Sequence, residues 1–330
     1  MTPSKKLVIG ASGFLGSHVT RQLVAGGADV RVMLRKTSVT RGIDDLPLEC
    51  CYGDVFDDDA LRAAMAGCDV VYYCVVDARM YLRDPAPLFR TNVEGLRHVL
   101  DAALAVGIPR FVFTSTIATL AISDTRPVTE DDPHNWTGGG PYVDSRVAAE
   151  NLVLQYARDR GLPAVALCIS TTYGPGDWAP TPHGRALAEV AAGRMPVNLP
   201  FPLELVGIED AARAMLLAAE HGRLGERYIV SDKYMSSRTV NEIAAKAVGV
   251  KPPRITVPAP VIYAGARVAD LVAKFSNRDL MYCTVGMRIA DLMSPLDHSK
   301  AERELGWKPE PVEDAIEKAA KFFVDEWRPV

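Results

Sequence analysis

The segment LVIGASGFLGSHVTRQL, residues 7–23, constrains this chain most, because Gly10, Gly13 and Gly16 recur at every third position between an apolar run and an amphipathic one. Glycines at a strand-to-helix turn let backbone N–H groups and the positive end of the helix dipole approach a phosphate closely. Three glycines alone are a weak signal, and a purely structural turn is the alternative. Context favours the first reading: an apolar strand precedes them, a helix opens on them, and a second strand, DVRVML, follows. A dinucleotide-binding turn is expected, with Gly10, Ser12, Gly13, Phe14, Leu15 and Gly16 as its cofactor-binding residues.

The same alternation continues to about residue 170: LECCYG, a helix over 57–66, DVVYYCVV, a helix over 86–106, RFVFTST, a helix over 141–160 and PAVALCIS. Short β-branched runs separated by helical patterns predict parallel strands joined by crossover helices. The expected fold class is therefore α/β, a doubly wound parallel sheet of Rossmann type with a smaller C-terminal α/β substrate lobe. Prolines become frequent after residue 170, although helical patterns return at 209–220, 238–248, 260–275 and 312–327. This predicts a dinucleotide-binding domain over 1–170, rejoined by 203–230, and a substrate lobe over 171–202 and 231–330. The amphipathic stretch APVIYAGARVADLVAKF carries few charges, so core packing is expected for it rather than a membrane surface.

A chain of 330 residues with 48% apolar content can fill a sizeable core. Its net charge of −4 gives no reason to expect nucleic acid as a partner. No apolar run approaches the length of a membrane span, and the chain leads directly into its first strand without a signal-peptide pattern, so a cytoplasmic protein is expected. The six cysteines contain no Cys-x-x-Cys pair, and plain packing is expected of all of them. The six histidines lack ligand spacing, so no metal is expected.

About twenty residues past the glycines, where a carboxylate would usually meet the ribose of NAD, this chain has Arg35 and Lys36. A fork of donors suits a 2′-phosphate, which favours NADP(H) over NAD(H); two solvated loop charges are the bland alternative. Asp54 in CYGDVFD can accept from an adenine amino group, since Asp57 or Asp58 is better placed to cap the next helix.

Taken with TNVEG at 91–95, FVFTSTIAT at 111–119, PYVDSRVAAE from 141 and YGPGD at 173–177, these features resemble an extended short-chain dehydrogenase/reductase. Within it the chain looks like the branch of dihydroflavonol reductase-like and 3β-hydroxysteroid dehydrogenase-like enzymes and hopanoid-associated sugar epimerases. The resemblance places the family's Ser/Thr position on Thr116, with Ser115 beside it, and its catalytic tyrosine on Tyr142. The lysine normally four residues later is Arg146, which keeps the charge in a bulkier, planar form. Residues four apart on a helix share a face, so Tyr142 and Arg146 can address one ligand. The resemblance adds Val55, Val75, Val76, Ile169 and Thr172 to the cofactor-binding residues. Tyr81, Trp136, Tyr173, Trp178 and Phe201 are aromatic residues in loops able to line an apolar substrate pocket or to pack the small lobe. WTGGGP at 136–141 looks like a flexible cover beside Tyr142.

The implied activity is NADP(H)-dependent reduction of a ketone or aldehyde on an apolar, ring-bearing small molecule, with Tyr142 as general acid/base. Two other readings stand beside it: a nucleotide-sugar epimerase/dehydratase with tightly held NAD, and a catalytically weak cofactor-binding sensor, for which Arg146 is the sole support. Family members commonly pair through helices equivalent to 86–106 and 141–160, which implies a homodimer.

Overall fold

The computed structural model describes residues 5–79, 84–276 and 283–327. β1 (Lys5–Ile9) passes through the glycine turn into α1 (Phe14–Ala25), followed by β2 (Asp29–Leu34), β3 (Glu49–Tyr52), α2 (Asp58–Met65) and β4 (Cys68–Tyr73). The helix expected over 86–106 is divided into α3 (Ala86–Phe89), a π turn (Arg90–Gly95) and α4 (Leu96–Val106). Next come β5 (Arg110–Thr116), α5 (Gly140–Arg160), β6 (Ala164–Ile169), β7 (Thr171–Tyr173), α6 (Pro182–Ala191), β8 (Pro202–Gly207) and α7 (Ile208–His221). β9 (Arg227–Val230), β10 (Lys233–Ser236), α8 (Ser237–Ala247), α9 (Ala259–Ser276), α10 (Thr284–Asp291), α11 (Ser299–Leu305) and α12 (Val312–Asp325) complete the order.

Seven strands form one parallel sheet in the order β3-β2-β1-β4-β5-β6-β9, the doubly wound arrangement that the alternation predicts. The strand order reverses between β1 and β4, which opens a crevice beyond their carboxyl ends. The strands read as nearly continuous apolar runs because both sheet faces are covered. Alternate residues divide between the faces: Val8, Val32, Tyr72 and Val112 pack toward α1, α7 and α11. Leu7, Ile9, Tyr73 and Phe113 pack toward α2, α4 and α5. Burying each such side chain contributes about 1.5–3 kcal/mol relative to exposure.

A second, three-stranded sheet has the order β10-β8-β7, with β8 parallel to β7 and antiparallel to β10. Within residues 203–230, then, α7 and β9 return to the large sheet while β8 builds the small one. Ala301, Leu305 and Trp307 also pack with α7, and the Trp307 indole N–H donates to the Asp210 carbonyl.

Two expectations about packing need correction. Cys50 is exposed on the edge strand β3, so packing does not account for it, whereas Cys68, Cys168 and Cys283 are buried. α9 packs by one face only: Ala266 is buried beside Phe201 and Met287, but Val268 is 64% exposed and Val261, Leu271 and Val272 face outward with it. Among the described residues no helix is long and apolar enough to cross a membrane.

The buried carboxyl of Glu204 on β8 accepts from the Ser231 hydroxyl and from Leu296 N–H, yet burial pushes its pKa up to about 7. The folded protein therefore holds this proton more tightly than the unfolded chain, whose glutamates titrate near 4.3. The resulting stability is fully present below about pH 4 and is lost as pH rises through about 7. Glu204→Gln is expected to flatten this dependence and to be more stable than wild type at pH 8, as read by urea unfolding at pH 5 and pH 8.

Candidate active site

The glycine turn is shaped by close contacts. Gly10 has φ +91°, and a Cβ there would lie 2.9 Å from the backbone carbon of Cys74. A Cβ on Gly16 would fall 2.2 Å from the Gly10 carbonyl oxygen, so only glycine lets α1 start this close to β1. Beside the turn lies a cavity of about 470 Å³ at the β1/β4 crevice. Its walls bring together Gly10, Ser12, Gly13, Arg35, Asp54 and Val55, together with Val75 and Val76.

Arg35 is exposed at this wall and its guanidinium makes no hydrogen bond or ion pair with a described residue. Ser38, absent from the sequence-based candidates, lines the same wall one turn later, where its hydroxyl accepts from Arg35 N–H. Lys36 is exposed and lies outside the lining. Asp57 caps α2 by accepting from Ala60 N–H, and Asp54 accepts from Phe56 N–H with one carboxylate oxygen. Gly16 is buried in the turn, Phe14 meets His18 edge-on, and Leu15 packs against the sheet core. Ile169 and Thr172, at the end of β6 and in β7, line neither this cavity nor the one described below.

β5 ends at Thr116, and its period of two separates the neighbouring hydroxyls. Ser115 points inward and donates to Glu150, while Thr116 is partly exposed and caps the following turn by accepting from Ala118 N–H at 3.3 Å. α5 starts with Pro141 in its first turn, which suits a position with no helical N–H partner. Tyr142 follows, 9% exposed, packed with Ala118, Trp136, Ile289 and Met293. Its hydroxyl makes no hydrogen bond with a described residue.

One turn on, Arg146 is 2% exposed. Its Nη2 donates to the Thr114 carbonyl, its guanidinium carbon lies 5.4 Å from the Phe113 ring centre, and its Nε and Nη1 have no partner among the described residues. Leaving buried N–H donors unpaired costs about 1–3 kcal/mol or more. Such a group fits a bound molecule rich in acceptors, and ribose hydroxyls have that chemistry.

Asn92 is the residue that sequence reasoning missed. It sits in the π turn, 2% exposed, accepts from Asp77 N–H, and donates to the Asp77 carbonyl and to Ser145 Oγ. Ser145 in turn donates to the Tyr142 carbonyl, so Asn92 ties the loop after β4 to the first turn of α5. An amide within the otherwise apolar buried face of a helical pattern was the available signal, and π turns recur at functional sites.

A second cavity, also about 470 Å³, lies between the small sheet and α6, α8, α9 and α10. Tyr173, Phe201, Leu203, Met287, Ile289 and Met293 are among its walls, and none of the described lining residues carries a fixed charge. Ile289 and Met293 also belong to the cluster around Tyr142, although Tyr142, Thr116 and Arg146 themselves line neither cavity. Trp136 packs beside Tyr142 with its buried indole N–H unpartnered. Trp178 joins neither cavity: Arg41 lies 3.9 Å over its ring and Phe322 meets it edge-on at 4.7 Å, so its faces are spent on packing. Tyr81 lies outside the described residues. The segment expected to be a flexible cover is tethered, because Arg288 donates to the Thr137 carbonyl and Val285 packs against Gly140. Among the described residues no group of three or more His, Cys, Asp or Glu side chains could hold a metal.

Residues 6–231 match the model of the NAD dependent epimerase/dehydratase family. The chain is 29% identical over 324 residues to sterol demethylase protein B of Methylococcus capsulatus, covering 96% of this chain and 97% of that protein. It is 28% identical over 322 residues to a putative dihydroflavonol 4-reductase of Synechocystis, covering 96% and 93%. The crystal structure of gox2253 superposes with a TM-score of 0.86 at 31% identity, covering 98% of this chain and all (100%) of that one.

Proposed function

Because the chain belongs to the NAD dependent epimerase/dehydratase family, whose relatives include reductases, we propose that it is an NADP(H)-dependent reductase of a ketone or aldehyde on an apolar, ring-bearing molecule, also able to oxidise the alcohol. The observation that carries this reading is the Tyr142 hydroxyl, without a partner among the described residues, in a cluster that shares Ile289 and Met293 with an apolar cavity whose described walls carry no fixed charge. A diphosphate sugar would lose its hydration there without meeting a cation, which weakens the epimerase reading. The names of the similar proteins refer to sterol and to dihydroflavonol, in keeping with a lipophilic ring system.

A nicotinamide dinucleotide held along the glycine turn would supply the hydride. Thr116 Oγ donates to the substrate carbonyl oxygen and Tyr142 gives it a proton; Ala118, which donates its N–H to Thr116, packs against the tyrosine ring. Arg146 holds the ribose with the donors it spends on no protein partner, and its charge favours the phenolate left after proton transfer. These donors argue against the sensor reading, since the guanidinium retains both charge and hydrogen-bonding capacity where the family has lysine.

Arg35 is the group that selects the 2′-phosphate, with Ser38 beside it. Arg35→Ala is expected to weaken NADPH binding about tenfold or more and to change NADH binding less than twofold, measured by fluorescence titration. A screen of ketones and aldehydes with NADPH and NADH in parallel tests the reaction itself. Purified protein carrying tightly bound NAD, or no oxidation of NADPH above the Tyr142→Phe background, overturns the reading.

A further inference from the structure

The walls of the apolar cavity come from three packing clusters: Ile289 and Met293 belong with Tyr142, Tyr173 and Val240 with the cluster of α6, α8 and α12, and Phe201, Met287 and Ala266 with a third. His183 in the first turn of α6 and Asn241 on α8 stand in this wall with Ser237, whose hydroxyl is spent on the Leu199 carbonyl.

His183 makes no hydrogen bond with a described residue, so it serves no internal network. Burial alone pulls its pKa down to about 4, so at neutral pH the ring is uncharged, with one nitrogen donating and the other accepting. Asn241 is oriented by a short chain of amides. Asn198, fully buried, must turn its Nδ2 toward the Pro253 carbonyl, which can only accept; its Oδ1 therefore faces Asn241 and receives the Asn241 Nδ2 at 2.8 Å. The Asn241 Oδ1 and the second N–H of its Nδ2 have no partner among the described residues.

We propose that His183 and Asn241 form a second recognition pole, which takes an uncharged hydrogen-bonding group, a hydroxyl or a carbonyl, at the end of an elongated apolar substrate remote from its reacting carbon. The proposal rests on the reading of this cavity as the substrate site and narrows the substrate class to molecules polar at both ends. A carboxylate or phosphate at the far end is excluded, because neutral imidazole and amide cannot replace its hydration. A molecule with no remote polar group leaves both side chains unpaired and is discriminated against.

Binding by calorimetry, without cofactor, tests this with two matched pairs. One is testosterone, a four-ring ketone hydroxylated on the ring farthest from its carbonyl, with its deoxy analogue. The other is a long-chain methyl ketone with and without a terminal hydroxyl. For at least one pair, wild-type protein is expected to bind the hydroxylated member about five- to tenfold more tightly. His183→Leu is expected to abolish that preference while changing the affinity for the deoxy member less than about twofold, and His183→Gln to restore part of it. Equal binding within both pairs, no binding of either pair, or a preference that survives in His183→Leu overturns the proposal. Equal binding within both pairs by wild-type protein, with hydride transfer intact, overturns this pole alone. Absent hydride transfer with the preference intact overturns the reductase reading alone.

Discussion

In Tyr142→Phe, kcat is expected to fall by roughly 10²–10⁴-fold while the melting temperature and the dissociation constant for cofactor stay near those of wild type. The separation follows from the packing. The ring is held by Ala118, Val143 and Ile289, contacts that phenylalanine keeps, and the hydroxyl donates to no described protein group, so its removal leaves no buried partner unsatisfied. Only the proton it would give to the carbonyl oxygen is lost. Turnover measured with the best ketone from the screen, alongside a thermal melt, checks this. A kcat within a few-fold of wild type would assign the proton to another group and return Tyr142 to core packing.

The largest effect on stability is expected one face further along the same helix, from Glu150→Ala. Glu150 lies two turns after Tyr142, nearly inaccessible, and accepts from Ser115, Thr119, Cys168 and Arg227, the last at 2.9 Å. Its alanine variant leaves the mostly buried guanidinium of Arg227 without its ion-pair partner and the Ser115 hydroxyl without an acceptor, while Thr119 keeps the Thr116 carbonyl. Breaking one side of a buried pair typically costs 3–5 kcal/mol. About 3 kcal/mol is expected here, because Arg227 still donates to the Glu130 and Asp132 carbonyls. Glu150→Gln preserves the volume and an acceptor and should cost less than half as much, read from urea unfolding at pH 7. Equal losses in the two variants would mean that charge contributes little to tying α5 to the end of β5.

How much of this could be read from the chain depends on the range of the interactions involved. The glycine turn, the strand and helix alternation, the start of α5 at Pro141 and the shared face of Tyr142 and Arg146 are local. They follow from backbone freedom at Gly10, from periods of 2 and 3.6, and from the capping of nearby residues, all expressed within a few positions. The resemblance pointed to Thr116 over Ser115, but the different surroundings of the two needed the sheet, since only α5 packed on one face makes Glu150 the partner of the first hydroxyl and leaves the second partly exposed.

Trp178 and Trp136 are both loop tryptophans in the sequence, yet one is covered by Arg41 and Phe322 while the other stands beside Tyr142. The π turn is set by Asn92 reaching Asp77 and Ser145, and the split of residues 203–230 by β8 finding β7 and β10. The uncharged polar patch of the cavity exists because α6 and α8 bring His183 and Asn241 into one wall. The sequence by itself determined the doubly wound sheet and the tyrosine and arginine on one helix face, since each is encoded by neighbours along the chain. Tertiary structure alone decided which hydroxyl is buried and which stays partly exposed, and which aromatic rings and polar groups line the cavities, because those outcomes depend on burial against residues tens to hundreds of positions away.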